Sequence, residues 1–458
     1  MNADICFRSG RELATLIRAR KLSAREAMAA HLERINRLNP TLNAIVAKLD
    51  DDECLALADE ADTKLAGGDE VGPLHGLPWA FKDLEDAAGF PNTAGSPIFR
   101  NRVPTTDSPL VGLLRRAGAL PIGKTNVPEF GMGSHTYNNV YGTTLNPWDT
   151  AKSAGGSSGG AGAALASGML PLADGSDLGG SLRNPANFNN IVALRPSSGL
   201  APWLVDNTSH GLNVKGPMAR SVDDVAFLLG VMTGQDWPLD SDMPFGKGLR
   251  VAWSLDLGQL PLDPRVRDVL NATRPVFDAM GCAVEDAQPD LHNADEIFLT
   301  FRRPRAFANL GALLWTERRR MKPEAIAEIE QGAALTPVDI ERGEKRHARL
   351  LARVGKFFET YRFLVCAVNQ VPPFDAMVAW PREIAGVPME HYAAWMKSAY
   401  WISTTLGPAI SVPAGFTAEG LPVGIQIVGR RGDDLGVLQL AYAFETRTGF
   451  SRRRPPDK

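Results

Sequence analysis

Three serines and one lysine in this chain have the residue types and spacing of nucleophilic catalysis. The segment 154–162 reads AGGSSGGAG, and Ser157 and Ser158 each satisfy the pattern G-x-S-x-G. A third serine, Ser181, directly follows Gly179 and Gly180 in DGSDLGGSLRNPA (174–186). A serine hydroxyl becomes a useful nucleophile only beside a base, and the reaction needs N–H donors for the oxyanion that forms. A serine after two glycines can have several backbone N–H groups pointing at one spot; a plain tight turn reads the same way. Lys82 interrupts the apolar run GLPWAFKDL. If that run is a buried strand, desolvation lowers the lysine pKa and frees a neutral amine to act as base. An edge strand with the lysine on its surface fits the same residues.

Two other motifs carry less. A nucleophile elbow at Ser157 or Ser158 needs a strand before it and a histidine base. NPWDTAKSAGG has no strand pattern, and the seven histidines (31, 75, 135, 210, 292, 347 and 391) lie in no catalytic neighbourhood. GALPIGKT (118–125) matches the phosphate-loop expression, but its apolar strand candidate falls inside the supposed loop. Arginines 302, 303, 305, 318, 319 and 320 read as a solvated helix face or an intersubunit contact, with anionic-substrate recruitment as the alternative.

The elements that must position these residues alternate. Ser23 and Glu26 form a capping box ahead of a helical apolar stripe (Met28, Leu32, Ile35, Leu38) that ends at Pro40. Ser108-Pro109 and Ser221 open further helices. GLPWAFKDL, ALPIG, LRVAWSL, CAVEDA, RFLVCAV, PAISVPAG and PVGIQIVG read as strands. Strands and helices alternating over the whole length predict an α/β protein. The stretch from about 236 to 380 is the least regular, and the tail SRRRPPDK reads as mobile.

Composition sets the class. With 458 residues, 44% hydrophobic, 22% charged and a net charge of -3, this is an ordinary globular chain and not a phosphate-backbone binder. The four cysteines (6, 54, 282, 366) have neither zinc-ligand nor disulfide-framework spacing, which fits a reducing cytoplasm. The N-terminal residues lack the apolar core of a secretory signal. The uncharged stretches 153–173 and 398–418 are broken by prolines and read as buried protein rather than membrane spans.

The lysine, the double-glycine serines and DLGGSLRNPA, in this order and spacing, closely resemble the amidase signature family. GKTNVPEFGMGS, NPWD, GPMARSVDDVAFLL, PAISVPAGF and LPVGIQIVGR extend the resemblance over most of the chain, most weakly between about 236 and 390. The resemblance implies an α/β/α sandwich with a central mixed twisted sheet flanked by helices. It implies one amidase domain, 1–458, with about 236–390 as a variable substrate-side region. It also implies hydrolysis of a small-molecule carboxylic amide, needing no metal or organic cofactor, no nucleic acid and no membrane, and it allows a homodimer.

Its roles map onto single residues. Ser181 would be the nucleophile, Ser157 the relay after a cis peptide at Gly156–Ser157, and Lys82 the terminal base. The N–H groups of Leu178, Gly179, Gly180 and Ser181 would bind the oxyanion. Ser158, Asp177 and Arg183 would support the loops, and Gly131, Met132, Tyr137 and Trp401 would touch substrate. The chain departs from the family at Ala161 and at Asn189-Asn190, which bears on substrate preference. The alternative is the glutaminase (A) subunit of a tRNA-dependent amidotransferase, whose pattern places an acidic residue where this chain has Met396. Trp395, Tyr400 and Trp401 nearby predict an apolar or aromatic substrate.

Overall fold

The computed structural model describes residues 5–206, 210–240 and 248–457. Its main sheet grows from the predicted apolar runs. The strands are β4 (Leu172–Asp177), β5 (Val192–Arg195), β6 (Val205–Asp206), β7 (Asn213–Ala219), β8 (Leu249–Trp253), β9 (Cys282–Asp286), β10 (Phe363–Ala367), β11 (Ala409–Phe416) and β12 (Pro422–Gly429). Their order is β9-β8-β10-β12-β11-β5-β7-β4, with β6 beside β7. The β8 pairings with β9 and β10 are parallel, and the remaining ones are antiparallel. A small second sheet joins β1 (Ile45–Val46), β2 (Pro78–Lys82) and β3 (Leu120–Thr125), with β3 in the middle.

Period-two alternation splits the core into two layers. Ile410, Val412, Ile425 and Ile427 face one side and pack with Leu440 and Phe444 of the helix Asp434–Thr448. Ala409, Val428, Leu364 and Cys366 face the other, with Phe188, Tyr400 and Trp401. Residues buried on both faces of a strand are what a sheet covered by helices on each side requires. The fold is an α/β/α sandwich around a mixed sheet.

Local signals are realised with some differences. Ser23 caps the helix Ala24–Leu42 in a full capping box. That helix runs past Pro40, and closes on Asn43 in the left-handed region (φ 49°), whose N–H bonds Asn39 O at 2.8 Å. The stretch from 236 to 380 is more regular than its prolines suggest. It contains α1 (Ala294–Leu310), α2 (Pro323–Ala333) and α3 (Pro337–Thr360); residues 241–247 lie outside the described part. Pro323 and Pro337 sit at the first helical position, where the missing N–H costs nothing. The tail is docked: Pro455 is buried, and Asp457 pairs with Arg34 and Arg37. The phosphate-loop match dissolves, because Leu120–Thr125 is strand and Lys124 is buried with Nζ on the carbonyl of Glu85. No helix among the described residues is long and apolar enough to cross a membrane.

Candidate active site

Lys82 is the last residue of β2, a strand buried along its whole length. Its side chain is 1% exposed, which makes it a buried lysine rather than a surface one. Nζ lies 2.9 Å from Ser157 Oγ, 2.8 Å from Ser158 Oγ and 2.9 Å from Ser176 Oγ. Burial lowers its pKa to about 7, against the opposing pull of Asp174, Glu85 and Asp177. Its hydrogen-bond partners are three hydroxyls and, at 3.4 Å, the Ser176 carbonyl, neutral oxygens that satisfy the amine without pairing its charge.

The serine loop packs closely against its neighbours. The peptide Gly156–Ser157 is cis, as expected. Ser157 and Ser158 lead directly into the helix Gly159–Ala166. A Cβ at Gly160 would sit 2.3 Å from Asn126 N and 2.5 Å from Ala44 O, so only glycine lets the helix start against that backbone.

The loop that carries Ser181 follows β4. Asp177 ends the strand, and its carboxylate accepts the N–H of Gly180 at 2.8 Å and of Leu182 at 3.2 Å. Arg183 binds the same carboxylate through Nε at 3.0 Å and a terminal nitrogen at 2.9 Å, and Arg195 adds a contact at 3.2 Å. All three side chains are fully buried. Burial pushes the Asp177 carboxyl up, but the two guanidinium charges prevail and hold it well below the usual range. Arg183 continues to Ala399 O at 2.9 Å and Ser403 Oγ at 2.8 Å. Ser158 N–H donates to Ser181 O at 3.2 Å, which ties the two serine loops together.

Ser157, Ser181, Leu178 and Gly179 open onto one cavity of about 640 Å³. Gly131, Met132 and Met396 border it. Much of the wall is apolar, with Leu84, Phe99, Phe130, Trp203 and Leu310. Glu85, Asp86, Lys215, Arg302 and Arg305 supply the charged part.

Several expectations need correction. Trp401 is not in this cavity; it borders a separate one of about 320 Å³ with Gln370, Met389 and Lys397. Trp401 sits in the helix Lys397–Ser403, whereas Met396 precedes that helix as its cap, and the two border different cavities. Tyr137 is also elsewhere, with Lys322 Nζ 3.2 Å above its ring centroid. Trp395 and Tyr400 are core: Trp395 packs on Phe188 and Phe374, and Tyr400 stacks on Phe298 at 4.2 Å. Gly180 N–H is engaged by Asp177, which removes it from the free oxyanion donors. Arg302 is no solvated arginine: it is buried, and its Nε lies 2.7 Å from Glu328. Four histidines, 31, 75, 135 and 347, are buried with a ring nitrogen on a backbone carbonyl.

Sequence reading missed Ser176 and Asp174. Asp174 accepts Trp79 Nε1–H at 3.0 Å and Lys82 N–H at 3.3 Å. The signal was present in LADGSD, where polar residues at 174 and 176 share one face of a buried strand.

Comparisons with known proteins point to one family. A family model described as Amidase matches residues 26–438. The chain is 35% identical over 465 residues to an acylamidase of Rhodococcus erythropolis, covering 98% of this chain and 97% of that protein. It is 32% identical over 487 residues to the A subunit of the glutamyl-tRNA(Gln) amidotransferase of Cyanothece sp., covering 97% and 99%. A bacterial aryl acylamidase of the amidase signature enzymes superimposes with a TM-score of 0.89 at 25% identity, covering 98% and 99%. This chain therefore belongs to the amidase family and is an amide hydrolase with the amidase signature fold.

Proposed function

We propose that the protein is a stand-alone amidase that cleaves apolar small-molecule amides through an acyl-enzyme on Ser181. The observation that carries this reading is the buried Lys82 amine, 2.9 Å from Ser157 Oγ, on a serine that shares its cavity with Ser181. Neutral Lys82 takes a proton from Ser157 while Ser157 takes one from Ser181, whose Oγ bonds to the amide carbon. The oxyanion rests on the N–H groups of Leu178, Gly179 and Ser181, each donor worth about 2.7–4 kcal/mol. Collapse breaks the C–N bond, and the proton held by Lys82 returns through Ser157 to the leaving amine. Water then attacks the ester by the reverse relay and releases the carboxylate.

Leu178, Met132 and Met396 around Ser181 favour an apolar acyl or aryl group, in keeping with the acylamidase relative. Met396, at the position where the glutaminase pattern calls for an acid, offers a glutamine ammonium no counter-charge, so we rank that alternative second. Segment 236–390, within a single domain spanning 1–458, is the part we assign to tuning substrate choice, through Arg302, Arg305 and Leu310. A cytoplasmic enzyme without nucleic-acid or membrane partners, free to form a homodimer, completes the reading.

The decisive experiment pairs hydrolysis of aryl and aliphatic amides with covalent labelling by a fluorophosphonate. Ser181→Ala should lose both the label and at least about 10⁴-fold in kcat/KM while remaining folded. Full activity in that variant would sink the assignment.

A further inference from the structure

Glu85 and Lys215 form an ion pair in the cavity wall that no step above uses. Lys215 Nζ lies 2.6 Å from Glu85 Oε2, with side chains only 20% and 9% exposed. Ser108 Oγ donates to the same carboxylate oxygen at 2.7 Å, and all three residues border the cavity. The pair is tied to Lys82 by two routes. Along the chain, a tight turn closes with Glu85 N–H donating to Lys82 O at 2.9 Å. Across the sheet, Lys215 on β7 stands opposite Ser176 on β4, and Ser176 Oγ is 2.9 Å from Lys82 Nζ.

We propose that Glu85 and Lys215 are positioning residues for the base: Glu85 favours the charged form of Lys82, and Lys215 offsets Glu85. The inference rests on the reading of Lys82 as base. Other charged groups face the same region. Asp174 lies behind Lys82 on its backbone N–H, and Lys124 Nζ binds the carbonyl of Glu85. Asp177 is matched by Arg183 and Arg195, and Asp86 by Arg102. The Glu85 carboxylate is matched by Lys215, so this pair adds an adjustable part to a balance at Lys82 to which Asp174 contributes more. Burial drives the Lys82 pKa down, and Glu85 is one of the charges pushing it back up.

The test is the pH dependence of kcat/KM for the wild type, Glu85→Gln, Lys215→Met and the double variant, on one amide substrate. The wild-type acid limb should rise through about 7. Glu85→Gln should move its midpoint down by about half a pH unit or more. Lys215→Met should move it up, and the double variant should return toward the wild type. Midpoints that stay fixed, or two single variants that shift in the same direction, overturn the pairing while leaving Lys82 as base. A wild-type profile flat down to about pH 5 would instead remove the base itself. If circular dichroism shows Lys215→Met unfolded, Lys215→Arg keeps the charge and should keep the midpoint; Glu85→Gln then decides alone, an unchanged or upward midpoint overturning the proposal.

Discussion

Two buried polar clusters flank the reacting serines, and they treat charge in opposite ways. Around Asp177, burial is met by two arginines and two backbone N–H groups, so the carboxylate stays ionised and fixed. Around Lys82, burial is met by three hydroxyls, and the amine is pushed toward neutrality. Burial is equally complete in both, so the partners decide. A matched charge makes a rigid brace, whereas an amine bonded to neutral oxygens makes a base that can exchange a proton near neutral pH.

Breaking the brace should be the larger effect on folding. Arg183→Ala leaves Asp177 with one arginine and strands the contacts to Ala399 and Ser403; it should cost about 3–5 kcal/mol, read by denaturant unfolding. Removing the base should do the reverse. Lys82→Met should abolish turnover yet raise the melting temperature. The native lysine pKa, about 7, lies below the ordinary value of 10.5. The unfolded chain therefore binds the extra proton between these pH values, and native stability rises with pH across that window. The stabilising effect of Lys82→Met should be greatest below about pH 7 and fade toward pH 10. A melting-temperature gain independent of pH would contradict an electrostatic origin.

The smallest change sharpens the comparison within the base cluster. Ser176→Ala removes one of the three hydroxyls on Lys82 and should cost about 1 kcal/mol of stabilisation in the site, about a fivefold fall in kcat/KM with unfolding free energy nearly unchanged. A loss as large as that of Ser181→Ala would instead place Ser176 in the proton path.

Much of this was legible in the residue order. Seven apolar runs became strands, and the serine caps at 23, 108 and 221 opened helices, because both signals are local. Lys82 was legible as a chemical oddity, a cation inside an apolar run, although only the packed strand decides whether it is buried. What escaped depends on direction in space. Trp401 and Tyr137 lie in the right segments but project away from the cavity. Arg302 looked like one member of a surface cluster because its partner Glu328 arrives from another helix. Helices at Pro323 and Pro337 were obscured because proline reads as a breaker unless the first position is recognised.

The reach of Arg183 has a consequence for synthesis of the protein. Its anchors, Ala399 and Ser403, are encoded more than two hundred residues after it. A ribosome-bound chain that already carries Lys82, Ser157, Ser158, Ser176 and Ser181 still lacks the groups that hold the Ser181 loop in place. Hydrolytic competence should thus appear late, after the C-terminal strands emerge, and proteolytic fragments ending before that point should be inert.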